Sequence, residues 1–263
     1  MLASAVGLPP AVAESCVSLS DNVAGVILRN VLLTATVRKR DGRIIELIPR
    51  GGPNLVGNSD GRFIYFDTNG SKGGKSHYLG FEPTDFGIVT QTAERVEIKL
   101  AQPDLGGFGV EMHYIMRGSD SGIYLYAVLR HGPGMPAINI GQARWVIRCD
   151  SAVITHAFSS EGRKGRVFRP DQRDETIMDA TTKLAASNGY QEETGLTSDR
   201  RPVYTKYDWA DYLEHHLAHG LAGDIRGVWM LTGSMEYCNG GPTKANLFVH
   251  NGHSQSVLAG RSG

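Results

Sequence analysis

Residues 26–39, VILRNVLLTATVRK, followed by Asp41-Gly42 and by RIIELI at residues 43–48, decide the fold. Valine, isoleucine and threonine crowd the first run, and branched side chains suit the pleated surface of a sheet better than a helix. Asp-Gly between two apolar runs is a hairpin signal, because a tight reversal needs backbone conformations that these residues tolerate. The same pattern recurs outward from this pair. Residues 63–66, FIYF, read as a short strand before the glycine-rich stretch 69–74. Further runs lie at 88–92 and 95–100, then at 110–116 and 123–130, joined by RGSDSG. Others lie at 143–148, 153–158, 226–231, 246–250 and 256–258. Strands recurring roughly every 8–12 residues between turn signals predict a sandwich or barrel. The expectation is an all-β chain folded as a large antiparallel β-sandwich. Residues 209–219 alone read as two or three helical turns. Residues 159–201 break the pattern. They are polar, rich in Asp, Arg and Gly, and read as a long connection forming a lid or groove wall.

Composition agrees. The chain has 263 residues, 33 of them glycine, with 21% charged. That length suits one large domain and is enough for a substantial core. Formal net charge is zero. No basic excess favours nucleic acid, and no polybasic stretch favours a membrane surface. No apolar run reaches the roughly eighteen residues of a bilayer span. Cys16, Cys149 and Cys238 lie far apart and form neither a zinc spacing nor a disulfide framework, so they are read as buried or free thiols, one disulfide remaining open. At the N-terminus, MLASAVGLPPAVAES carries the A-x-A form at Ala11-Val12-Ala13 but no charged start, and it holds two prolines. Residues 1–20 are read as a signal remnant or a disordered extension, and the remnant is preferred. Residues 21–263 are read as the sandwich domain. A monomer in a secreted or extracellular setting, the periplasm included, is expected.

Residues 203–220, VYTKYDWADYLEHHLAHG, concentrate chemistry. Lys206 sits between Tyr204 and Tyr207. Trp209 and Tyr212 follow, then His215, His216 and His219. Sugar rings present apolar faces to aromatics, and uronic acids present a carboxylate to cations. A lysine partly buried between tyrosines loses its proton more easily than a free one. His215 and His219 have the outer spacing of H-E-x-x-H, but His216 occupies the Glu position and no third ligand has clear spacing. No metal is assigned, and His219 reads as structural. Residues 69–76, NGSKGGKS, fall short of a phosphate loop, because Asn69 stands where glycine is required. They read as a flexible β-loop without nucleotide. In GQARWVIRC, residues 141–149, even spacing puts Arg144 and Arg148 on one strand face, with Ala143, Trp145 and Ile147 on the other. Two such arginines suit a carboxylate clamp. Residues 236–244, EYCNGGPTK, read as a tight loop carrying an acid and a base.

Three stretches carry a resemblance. They are MRGSDSGIYLYAVLRHGPGMPAINIGQARWVIRCD (116–150), YTKYDWADY followed by AHG (204–212 and 218–220), and SMEYCNGGPTKANLFVH (234–250). In this order they resemble the rhamnogalacturonan lyases of polysaccharide lyase family 4, from about Val26 onward. The resemblance implies a galactose-mutarotase-like supersandwich. It implies an endolyase that breaks the rhamnose–galacturonate linkage of rhamnogalacturonan I, a pectic polysaccharide, by β-elimination. Lys206 matches the family's proposed base. Arg144 and Arg148 match the strand of its substrate-binding arginines, and Tyr204 and Tyr207 fall on the groove by position. No cofactor is implied, since cationic side chains can serve. The family's acid is a histidine after the last strand, expected just beyond Gly263. On this reading the catalytic domain is C-terminally incomplete, and the family's later fibronectin-type and carbohydrate-binding-like domains are absent. Two rivals stand beside it. A glycoside hydrolase needs paired carboxylates, and Glu236 has no evident partner. The other is a non-catalytic pectin-binding sandwich.

Overall fold

The opening runs fold as their alternation dictates. β2 (Gly25–Arg29), β3 (Leu33–Arg38) and β4 (Ile44–Pro49) pair antiparallel, with Leu28 opposite Ala35 and Ala35 opposite Leu47. Gly42 in the intervening turn takes a φ of 63°, a left-handed conformation that glycine adopts freely. The computed structural model describes residues 16–57, 61, 63–160, 163–167, 172–178, 181–185, 203–205, 218–231, 238–243, 246–251 and 256–258. Among the described residues every regular element is a strand, and no helix is long and apolar enough to cross a membrane.

Seven further strands extend the first three: β1 (Ser18–Asp21), β5 (Ile64–Lys72), β6 (Lys75–Gly80), β11 (Ile138–Arg148), β19 (Cys238–Thr243), β20 (Asn246–Asn251) and β21 (Ser256–Leu258). Together they form a ten-stranded sheet ordered β1-β2-β3-β4-β5-β11-β20-β19, with β6 beside β5 and β21 beside β11. A four-stranded sheet runs β10 (Ile123–Arg130), β9 (Gly109–Arg117), β8 (Arg95–Gln102), β7 (Asp85–Gln91). Another runs β13 (Arg163–Arg166), β12 (His156–Ser160), β17 (Ala218–Ala222), β18 (Gly227–Leu231). β14 (Glu175–Met178), β15 (Thr181–Lys183) and β16 (Val203–Thr205) make a small third partner sheet. All the pairings are antiparallel, as expected of a large β-sandwich.

The main core lies between the ten-stranded sheet and the β7–β10 sheet. Val26, Leu28, Ala35, Val37, Ile44, Ile64 and Phe66 from the first meet Val96, Ile98, Leu100, Val110, Met112, Tyr114 and Met116 from the second. The period of two in both sets is what a half-buried strand requires.

Several expectations change. β1 pairs Ser18 with Arg29 and Leu19 with Leu28, so residues left to the N-terminal extension belong to the sandwich. Residues 69–76 are not a loose loop. They are the end of β5, a two-residue turn and the start of β6, with Lys72 opposite Lys75. Gly73 and Gly74 sit at φ 57° and 75°, the pair of left-handed residues that a tight hairpin turn needs. The polar connection 159–201 carries strands β13, β14 and β15. Residues 238–243 form a strand where a tight turn was expected, and β19 lies at the end of the sheet order, the edge position where proline is tolerated in strands. The helical reading of 209–219 falls mostly outside the described residues, and Ala218 and His219 open strand β17. Cys16 is an exposed free thiol. Cys149 is a buried one, whose ionisation burial pushes far up.

The outward face of the β7–β10 sheet holds a dense ionic network. Glu97 is buried, and its Oε1 lies 2.8 Å from His113 Nδ1 and accepts a bond of 2.9 Å from Tyr126 Oη. Its Oε2 pairs with Arg95. The Tyr126 ring stacks on His113 at 4.3 Å, and Arg130 forks Glu111 through two bonds of 3.2 Å. Burial by itself would raise the pKa of Glu97, but hydrogen bonds from Tyr126 and His113 and the charge of Arg95 outweigh it, so the pKa falls below the ordinary value. Glu111 is lowered too, first by its bonds to Arg130, against a smaller effect of burial. A carboxylate depressed in the folded state contributes stability that is present above its unfolded pKa of about 4.3 and lost as pH falls through the folded value. Wild type is therefore expected to exceed Glu97→Gln in urea midpoint at neutral pH, with the gap closing below about pH 4. A gap that stays constant down to low pH would contradict this account.

Candidate functional site

Strand β11 builds the site because its two faces do different work. Trp145 turns into the core, edge-on to Phe66 at 5.6 Å and to Tyr114 at 6.4 Å, and Ile147 is buried beside it. Arg144 and Arg148 contact Asp67 and Tyr65 on the opposite face. The alternation expected from the sequence is the alternation found.

β5 supplies the partners. Asp67 stands directly opposite Arg144 and is fully buried. Arg144 donates from Nε to Asp67 Oδ1 at 2.6 Å and from Nη2 to Oδ2 at 3.0 Å. Tyr78, on β6, donates from Oη to the same Oδ2 at 2.6 Å while its ring stays about half exposed. The Arg144 guanidinium lies 6.0 Å from the centre of that ring. Burial and then the bond to anionic Asp67 push the Tyr78 phenol pKa up, so it remains a donor. Burial works against the charge of Arg144, but the bonds and charge of Asp67 prevail and hold it cationic.

Arg148 is set differently. Its Nη2 donates to Tyr65 Oη at 3.2 Å, and its guanidinium lies 5.8 Å from the Tyr65 ring centre. Among the described residues its buried Nε has no hydrogen-bond partner, and no carboxylate pairs with the guanidinium. Tyr65 and Val146 are buried between the two arginines and close the floor of this face. Nearby, Asn69 Nδ2 donates to Gln142 Oε1 at 2.9 Å. Arg144 and Arg148 thus share a face as the carboxylate-clamp reading requires, with one edge of Arg144 already taken by Asp67.

Of the other candidates, Tyr204 lies in β16 opposite Thr182, while Lys206 and Tyr207 fall outside the described residues. His215 and His216 fall outside as well. His219 is fully buried in β17, the placement of a structural histidine. His250 occupies the register position opposite Arg144 on β20. Sequence reasoning missed Asp67, Tyr65 and Tyr78. The alternation of Ile64 and Phe66 with Tyr65 and Asp67 was a usable signal for the face, but the pairing of β5 with β11 joins residues 77 apart in the chain.

Fold and face together define an all-β sandwich with paired arginines on one face of its largest sheet. The chain belongs to the Rhamnogalacturonate lyase family, whose model matches residues 5–194. It is 28% identical over 211 residues to a rhamnogalacturonate lyase of Dickeya dadantii, covering 76% of this chain and 33% of that protein. It is 23% identical over 280 residues to a probable rhamnogalacturonate lyase C of Emericella nidulans, covering 95% of this chain and 25% of the relative. The chain thus spans a third or less of these two relatives. A galactose mutarotase-like protein from Lactobacillus casei is a structural neighbour at 12% identity and a TM-score of 0.45, with 86% of this chain and 87% of that one aligned.

Proposed function

We propose that this chain is the catalytic sandwich of a rhamnogalacturonan endolyase acting on the pectin backbone outside the cell. In β-elimination a base removes the C5 proton of the galacturonate. The electron pair forms the C4–C5 double bond, and the O4 leaving group departs with a proton from an acid. Removing that proton pushes further negative charge onto the uronate carboxylate, so fixed cations aimed there lower the barrier. Arg144 and Arg148 take that role. Lys206, flanked in sequence by Tyr204 and Tyr207, is the base, and the two tyrosines are assigned to substrate binding. The protein works as a monomer and needs no cofactor for this chemistry, because the guanidinium groups supply the positive charge.

The observation that carries the reading is the placement of Arg144 and Arg148 on one face of β11, in a chain of this family, with no carboxylate among the described residues paired to Arg148. Incubation with rhamnogalacturonan I tests it. The expected products are shortened oligosaccharides with unsaturated uronate at their new non-reducing ends, detected by ultraviolet absorbance and mass. Saturated ends would mean hydrolysis, and binding without cleavage, by this chain and by one extended past Gly263 alike, would mean a binding sandwich. Either result overturns the proposal.

A further inference from the structure

The way Arg144 is held divides the labour between the two arginines. A guanidinium has five N–H donors in a rigid plane. Asp67 takes the side edge, Nε and one N–H of Nη2. Three N–H donors remain, and one of Nη1 together with the second of Nη2 makes up the end edge. That edge is itself a fork matched to a carboxylate. Asp67 is a rigid anchor. It is fully buried on β5, between its register partners Arg144 on β11 and Gly80 on β6. The Tyr78 hydroxyl fixes its second oxygen. The side chain of Arg144 nevertheless keeps 18% exposure. The charges of Arg144 and Asp67 cancel, so this pair offers direction rather than net charge. Arg148, with a tyrosine hydroxyl for a partner and no acid among the described residues, keeps its charge uncompensated.

We infer that Asp67 and Tyr78 are positioning residues, which lock Arg144 with its end fork presented to the uronate carboxylate, while Arg148 supplies the net positive charge. The inference rests on the uronate-binding reading of this face. The test uses titration calorimetry on the whole chain, with a rhamnogalacturonan I oligosaccharide and the same oligosaccharide methyl-esterified at its uronates. Wild type is expected to prefer the free acid. Asp67→Asn adds a net positive charge to the face, so a purely electrostatic account predicts tighter binding of the acid. Positioning predicts the opposite: a loss of roughly tenfold for the acid, with ester affinity held within about twofold. Tyr78→Phe, at a half-exposed ring, is expected to move the acid-to-ester ratio the same way by about threefold, and it carries the test if Asp67→Asn does not fold. Unchanged or tighter binding of the acid in the folded variants overturns the positioning role alone. No preference for the acid in wild type overturns the uronate reading itself, and the positioning role with it.

Discussion

Replacing Lys206 with alanine is expected to reduce the yield of unsaturated uronate by about a hundred- to ten-thousand-fold, the range spanned by positioned acid–base groups. Affinity for the polysaccharide should change by no more than about threefold, because carboxylate binding is assigned to Arg144 and Arg148 and most binding energy lies in a few such contacts. A loss in turnover with binding retained is the signature of a group that acts in the transition state alone. The pH profile offers a second check. A lysine base must be neutral to accept the C5 proton, so the wild-type rate should rise with pH until the amine is deprotonated. The alanine variant should lack that rise. Retained lyase activity in Lys206→Ala would remove the lysine from the mechanism, whatever became of affinity.

The largest effect on stability is expected at Tyr114. Its side chain is fully buried on β9, edge-on to Trp145 of β11 at 6.4 Å and 90°. Its hydroxyl donates to the Gly42 carbonyl in the β3–β4 turn. Burial pushes the phenol ionisation far up, so the group stays a neutral donor. One side chain thus joins the two main sheets and a left-handed turn. A Cβ at Gly42 would stand 2.7 Å from the Tyr114 oxygen, which shows how closely turn and ring approach. Tyr114→Ala opens a cavity and strands the carbonyl, for an expected loss of about 3–5 kcal/mol. Against a total of roughly 5–15 kcal/mol for a folded domain, that brings the protein near its unfolding threshold. Tyr114→Phe keeps the volume and leaves only the Gly42 carbonyl unpaired, for about 1–3 kcal/mol. Urea unfolding of the three proteins checks both values. A phenylalanine variant as unstable as the alanine one would show that the hydrogen bond, not the packing, dominates.

Alternation made much of the fold readable. Val26, Leu28, Ala35 and Val37 on one side, and Val96, Ile98, Val110 and Met112 on the other, announce half-buried strands by their spacing alone. The separation of Trp145 from Arg144 and Arg148 follows from the same period. Strands β6 and β19 escaped because glycine, lysine and proline in KSHYLG and CNGGPT mimic turns. These residues occur in strands when neighbouring ladders satisfy the backbone, a condition that depends on the partner strand.

By itself, the sequence determined which residues of the main core alternate, that a reversal falls at Asp41-Gly42, and that two arginines share a strand face, because these are local consequences of backbone geometry. Tertiary structure alone decided that β5 lies beside β11. That neighbour brings Asp67 against Arg144 and Tyr65 against Arg148, and so gives one arginine a neutralising anchor and sets the other beside a tyrosine hydroxyl, with no acid paired to it among the described residues. The physical reason is that strand pairing is set by the burial of a whole sheet face, and the partner across the ladder can come from anywhere along the chain.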